Sequence, residues 1–397
     1  MHINAAEIYD VNLSNDKVRS IWNLVILRLW TDEGLYGLGE VALAYGAGKD
    51  AGIGMLKDII PRCILGKDPF QVNYLWDRMF RDTFWGQGGG PVVYGAMSAI
   101  DCAMLDIKGK ATNLPVYDLL GGKTRDHLRV YANGWYAKRE GLQYIPCIQP
   151  EEYAEAALVT VEQGYNALKF DPLMFDHAGT LNYPERILEK SHEDVAVKRV
   201  KAVREAVGTN VDICIEIHGN LGTAAAIRLG RRLEEFAPMF YEEPVDPMNV
   251  ECMKKVSENV RIPIAGGERL YTRYQFRPFI EKQALDIIQP DIGLAGGPTE
   301  VKKIAELAET YNISVQPHNC AGPICTAASV HLDASINNFI IQEWFPYRNE
   351  IFYSIVDEAF EIHVVDSMFT VPDSPGLGIS LNESAIKTFP VIRLEYA

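Results

Sequence analysis

From residue 167 onward, short apolar runs in this chain end, one after another, in side chains that can hold a metal or move a proton. Lys169 and Asp171 close the run 167–172, Glu216 and His218 the run 212–218, Glu242 the run 239–244 and Glu268 the run 262–268. Asp291 closes 286–291, His318 closes 313–318 and Glu343 closes 338–344. Any one of these reads blandly as a satisfied polar group at a sheet edge. Seven consecutive ends that each supply an ionisable group do not. Glu216, Glu242 and Glu268 recur at intervals of 26 residues, one carboxylate per repeat. Ligands that are all oxygen suit a hard divalent ion, so Mg²⁺ fits better than Zn²⁺, which would favour His or Cys. Asp291 and His318 end neighbouring runs and form a candidate dyad, in which a carboxylate fixes the imidazole tautomer and raises its basicity. A Ser-His-Asp hydrolase is the rival reading, but no GxSxG elbow supports it.

These groups need a scaffold that brings strand ends together. In Asp212-Ile213-Cys214-Ile215-Glu216-Ile217-His218 polar and β-branched residues alternate, which is strand periodicity; it puts Asp212, Cys214, Glu216 and His218 on one face and the isoleucines on the other. A half-exposed antiparallel strand would alternate in the same way. From about residue 128, however, strand and helix patterns repeat at intervals of about 25 residues. Candidate strands are 129–134, 167–172, 212–218, 239–244, 262–268, 286–291, 313–318 and 338–344, and the helices between them include 193–207, 222–236, 299–311 and 321–337. The pattern predicts an α/β fold, a (β/α) barrel with its site at the C-terminal strand ends. A doubly wound open sheet fits less well, because it concentrates its site at one switch point. Residues 1–127 read as an α+β unit: a hairpin at 23–30 and 35–40 around Thr31-Asp32-Glu33-Gly34, then helix-spaced runs at 54–64, 71–81 and 95–110. The glycine-rich stretch Phe84 to Pro91 has no lysine and follows no strand, so it is not a phosphate cradle.

Composition narrows the function classes. The 397 residues are 48% hydrophobic and 23% charged, as in an ordinary folded protein, and the formal charge of −15 argues against a nucleic-acid surface. Seven cysteines without a CxxC suggest neither a zinc cluster nor a disulfide framework. No signal peptide is evident, and the apolar segment 21–30 is too short to span a bilayer; a reducing cytoplasm is the expected compartment.

Several segments carry a wider resemblance: Thr31 to Gly37, Ala99 to Lys110, Leu119-Leu120-Gly121-Gly122, Glu242-Glu243-Pro244, Gly266-Gly267-Glu268-Arg269, Gln289-Pro290-Asp291 with Gly296-Gly297, and Ser374 to Ile379. With these the chain resembles the mandelate racemase subgroup of the enolase superfamily, and within it the acid-sugar dehydratases of the galactonate dehydratase type. The resemblance implies a modified (β/α)7β barrel over 128–376 and an α+β capping domain formed by 1–127 and completed by the tail 377–397. It implies Glu216, Glu242 and Glu268 as ligands of one Mg²⁺, His318 with Asp291 as the base dyad, and Glu343 as the residue that hydrogen-bonds the developing enolate. Lys169 matches the first lysine of the family's KxK motif, and His218 the histidine used as general acid. There are two departures: Glu216 stands where aspartate is usual, and Asp171 replaces the second lysine, the usual base on that face. The implied reaction abstracts the proton next to a carboxylate and expels the β-hydroxyl, giving a 2-keto-3-deoxy acid; a Lys or His base beside Mg²⁺ is the general pattern for this superfamily. Racemisation or cycloisomerisation through the same enediolate is the alternative. Tyr45, Trp85, Asn133 and Trp135, with Lys169 and Asp171, are the candidate substrate-binding residues, and the expected partners are a small acid sugar and further copies of the chain, with no nucleic acid and no membrane.

Overall fold

A computed structural model describes residues 1–13, 23–44, 47–140, 143–176, 178–181, 186–347 and 350–396. The N-terminal half begins with three antiparallel strands, β1 (Ile3–Asn12), β2 (Asn23–Thr31) and β3 (Tyr36–Val41). The β2–β3 turn is the one the sequence marks, with Gly34 at φ 82°, a left-handed position that favours glycine. Helices α1 (Lys49–Ile59), α2 (Val72–Asp82), α3 (Pro91–Thr112) and the single turn α4 (Val116–Leu119) follow. Gly37 and Gly39 face α3, where a Cβ would overlap the carbonyls of Ala103 and Ala99. Those two glycines let a helix backbone lie directly on the sheet, so α3 is buried along most of its 22 residues.

The barrel opens with β4 (His127–Ala132), followed by a hairpin of β5 (Ala137–Glu140) and β6 (Gln143–Pro146) that the repeat pattern did not predict. Helix and strand then alternate: α5 (Pro150–Glu162), β7 (Ala167–Phe170), α6 (Lys190–Val207), β8 (Asp212–Glu216), α7 (Thr223–Leu233) and β9 (Phe240–Glu242). The series continues through α8 (Val250–Ser257), β10 (Ile264–Gly266), α9 (Thr272–Glu281), β11 (Ile287–Ile288), α10 (Pro298–Glu309), β12 (Ser314–Val315), α11 (Pro323–Ser335) and β13 (Gln342–Trp344). Parallel pairing runs β12-β11-β10-β9-β8-β7-β4-β13. The approach to β13 closes the ring: Val315 N donates to Asn338 O and Ile340 N to Val315 O, at 2.8 and 3.1 Å. Among the described residues seven helices alternate with these eight strands, a (β/α)7β barrel. Finally β14 (Met368–Thr370) pairs with the start of β4, and β15 (Val391–Glu395) pairs antiparallel with β1, so the C-terminal residues extend the N-terminal sheet.

One buried residue from each of seven strands or their approaches fills the barrel interior: Tyr131, Ala167, Cys214, Phe240, Ala265, Ile287 and Ile341. Ile213 and Ile215 point the other way, into the layer beneath the helices. The alternation read from 212–216 therefore holds. The hydrogen-bonded strands are shorter than their apolar patterns, above all β11 and β12, so Asp291 and His318 lie three residues beyond the last paired residue of each. That is where backbone is free to turn side chains over the barrel mouth.

Candidate active site

Glu216 and Glu242 are the last residues of β8 and β9, and Glu268 follows two residues after β10. All three are buried, and each offers a carboxylate oxygen within 4.8 Å of the others'. Lys169 reaches in from β7: its Nζ lies 2.9 Å from both Glu242 oxygens, 2.9 Å from Glu343 Oε1 and 3.3 Å from Glu216 Oε2. Burial works against the charged ammonium, but Glu242 and Glu343 outweigh it and hold Lys169 well above its ordinary range. Burial also works against the charged forms of Glu242 and Glu216. In Glu242 the charge of Glu216 adds to it and the group is pushed up; in Glu216 the neighbouring His218 and Lys169 win and the group stays low. Glu343 donates nothing in this arrangement: Oε1 accepts from Lys169 and from Asn133 Nδ2 at 2.9 Å, and Oε2 accepts from Asn319 N at 2.8 Å.

Two imidazoles flank the carboxylates. His318 Nδ1 lies 2.7 Å from Asp291 Oδ2, and its Nε2 faces Glu268 Oε2 at 3.3 Å. Burial disfavours its charged form, yet Glu268, Glu343 and Asp291 together raise its affinity for a proton. His218 Nδ1 lies 2.8 Å from Asp171 Oδ2. The strand ends before His218, which sits at φ 52° and donates its backbone N–H to Glu216 Oε1 at 2.8 Å. A left-handed conformation in a residue with a Cβ costs of order 1 kcal/mol and persists where neighbours impose it. Here the Glu216 and Asp171 carboxylates do so, and this turn, rather than strand alternation, carries the ring to the site.

Two models of known families match the chain: "Mandelate racemase / muconate lactonizing enzyme, N-terminal domain" over residues 11–121 and "Enolase C-terminal domain-like" over 152–385. The chain belongs to the enolase superfamily. Among its relatives, the D-galactonate dehydratase of Xanthomonas campestris pv. campestris is 34% identical over 370 residues, 91% of this chain and 90% of that protein. The same activity is named for a Variovorax paradoxus relative at 32% identity, again over 91% of this chain and 90% of the other. Among solved structures, an enolase superfamily member from Salmonella Typhimurium superposes with a TM-score of 0.93 at 41% identity, covering 99% of this chain and 100% of the other. A mandelate racemase/muconate lactonizing enzyme-like protein from Roseovarius sp. TM1035 gives 0.87 at 32% identity, over 98% and 96%.

Enolase superfamily enzymes use a divalent metal, and the donor set here fits one: three buried carboxylates converge, with Lys169 beside Glu216 and Glu242 and Arg269 beside Glu268. Of the residues singled out in the sequence, Lys169, Asp171, Glu216, His218, Glu242, Glu268, Asp291, His318 and Glu343 converge over the barrel mouth, and Asn133 joins them through Glu343. One substrate-binding candidate packs away from the mouth. Trp135 is buried among Tyr136, Tyr153 and Phe170 under α5, its indole N–H spent on Lys169 O, because a large ring fills the gap between strand and helix better than it lines an open mouth. Trp85 is 73% exposed and stacks edge-on with Phe84. Tyr45 lies outside the described residues. Both oxygens of Asp171 are engaged: Oδ1 accepts from Leu173 N and Oδ2 is held by His218. Sequence reasoning passed over Asn319, whose N–H secures Glu343, and over Glu40 and Asp101, carboxylates buried between the two halves of the molecule. An acid inside an otherwise apolar helix, as Asp101 is in Ala99 to Met104, was the available signal.

Proposed function

We propose that the chain is a Mg²⁺-dependent dehydratase of an acid sugar, an aldonate or aldarate, that yields a 2-keto-3-deoxy acid. The observation that carries this reading is the pairing of a carboxylate cage with two imidazoles that follow separate strands, since dehydration needs a base for the α-proton and an acid for the β-hydroxyl. Glu216, Glu242 and Glu268 would hold the ion, which supplies positive charge where the substrate carboxylate becomes electron-rich. His318 takes the α-proton at Nε2 while Asp291 holds Nδ1. Lys169 provides a further cation for the developing charge. Electrons of the broken C–H bond form the new C=C bond as the β-hydroxyl leaves with a proton from His218. Names of the relatives and their 34% identity support the dehydratase class and leave the sugar open.

An epimerase reading draws on the same two imidazoles, since epimerisation needs proton-transfer groups on both faces. The deciding experiment incubates the protein with a library of mono- and diacid sugars in D₂O. The expected result is 2-keto acid from a small subset, lost in excess chelator and restored by added Mg²⁺. Deuterium wash-in without 2-keto acid would favour epimerisation, and full turnover in excess chelator would overturn the metal assignment.

A further inference from the structure

Asp171 and Asp291 are built alike. Each follows a barrel strand, each is buried, and each gives one oxygen to the backbone N–H two residues on: Oδ1 of Asp171 to Leu173 N and Oδ1 of Asp291 to Gly293 N, both at 2.7 Å. The second oxygen of each holds the Nδ1 of a histidine from the next strand, His218 at 2.8 Å and His318 at 2.7 Å. In the ring order β4-β7-β8-β9-β10-β11-β12-β13, the strands before the aspartates, β7 and β11, are four places apart, and so are β8 and β12 before the histidines. Four places of eight is half a turn, so the two dyads face one another across the carboxylate cage. They differ in exposure: the His318 side chain is 6% exposed and that of His218 42%.

From this repeated geometry we propose that Asp171, which stands at the second lysine position of the family motif, is a positioning residue for His218. Resting on the dehydratase reading, it completes a second carboxylate–imidazole dyad dedicated to the leaving group. The backbone bond to Leu173 fixes the carboxylate, and the carboxylate accepts Nδ1–H, so the proton that His218 gives up comes from Nε2. That proton goes to the β-hydroxyl oxygen. The C–O bond breaks, its electron pair leaves with water, and the pair released from the α-carbon becomes the C=C bond. The open side of His218 is where a water can depart, whereas His318 works enclosed.

A merely structural Asp171 would stitch β7 to β8 and affect everything at the site alike. The test is a double-mutant cycle on the acid sugar that gives the fastest 2-keto acid release. Asp171→Asn presents an amide N–H to Nδ1 and favours the wrong tautomer, the kind of change that costs about 10⁴-fold in kcat in the serine protease triad. The expected result is a fall in kcat of about 10²–10⁴-fold with KM within a few-fold, α-proton exchange in D₂O and Mg²⁺ binding retained, and no further loss when Asp171→Asn is added to His218→Asn. Asp171→Glu, which keeps the carboxylate, should recover part of the rate; if the asparagine variant fails to fold, the cycle is run with the glutamate variant. Wild-type dehydration by Asp171→Asn, or losses that multiply in the double variant, would overturn the inference alone. A wild-type protein that exchanges its α-proton without making 2-keto acid would instead sink the dehydratase reading, and the leaving-group role of the dyad with it.

Discussion

At the residue scale the two histidines invite separate tests, because the arrangement gives each its own partner and its own surroundings. His318 is enclosed by Glu268, Asp291 and Glu343, all acceptors: Asp291 orients Nδ1, and Nε2 faces Glu268 and Glu343 over the carboxylate cage. His318→Asn should stop both α-proton exchange and product formation, since the first step is gone. His218→Asn should cut dehydration by about 10²–10⁴-fold, the usual contribution of a positioned acid, while exchange survives. Exchange in D₂O followed by NMR, beside a 2-keto acid assay, separates the two. If His218→Asn dehydrated its best substrate at the wild-type rate, the neighbouring Glu216 and Asp171 contacts would be packing only.

At the element scale, the loops that carry Asp291 and His318 are held by the N-terminal half of the chain. Helix α10 and helix α11 start after Gly297 and Gly322, which have no side chain to cap the N–H groups that a first turn leaves without helical partners. Carboxylates from elsewhere do it. Asp101 on α3 accepts from Thr299 N at 2.9 Å, and Glu40 on β3 accepts from Gly322 N at 2.6 Å and Cys325 N at 3.2 Å. A Cβ at either glycine would strike the carboxylate that caps it, so the missing side chain is what lets the partner in. Glu40→Ala leaves two buried N–H groups without acceptors and should destabilise the protein by about 1–3 kcal/mol. Because the segment between His318 and Gly322 leads into α11, kcat should fall as well. Urea unfolding and steady-state kinetics check both, with Glu40→Gln expected to lose less; an alanine variant of wild-type stability would show that α11 caps itself.

At the scale of the whole molecule, acid stability should depend on a histidine far from the chemistry. His331 on α11 is buried against Tyr117 of α4, whose backbone N–H approaches its Nδ1 at 3.4 Å. Burial without a carboxylate partner pushes its pKa from 6.5 down to about 4. The folded value lies below the unfolded one, so the stability contributed by the neutral ring is present above pH 6.5 and is lost as pH falls from there towards 4. A drop of that size corresponds to about 3 kcal/mol. His331→Gln should therefore be less stable at neutral pH through lost packing, but its unfolding midpoint should decline less steeply between pH 6.5 and 4. An unchanged slope would mean that other groups carry the acid sensitivity.

Local periodicity determined much of this molecule. An eight-fold strand and helix repeat, with polar groups at the strand ends, is enough to write the barrel, because a parallel sheet closed on itself leaves only one end of each strand for chemistry. The convergence of Glu216, Glu242 and Glu268 follows from that, as does the meeting of Asp291 and His318 from adjacent strands. What the tertiary structure alone decided are contacts that depend on a single backbone angle or on pairing between distant segments. Asp171 meets His218 because one residue turns to φ 52° after the strand has ended. Trp135 turns under α5 and away from the mouth, and β15 returns to β1 from the far end of the chain. Glu40 caps a helix 282 residues away. None of these leaves a period in the sequence, since each is set by how finished elements pack and by which buried N–H groups then need an acceptor.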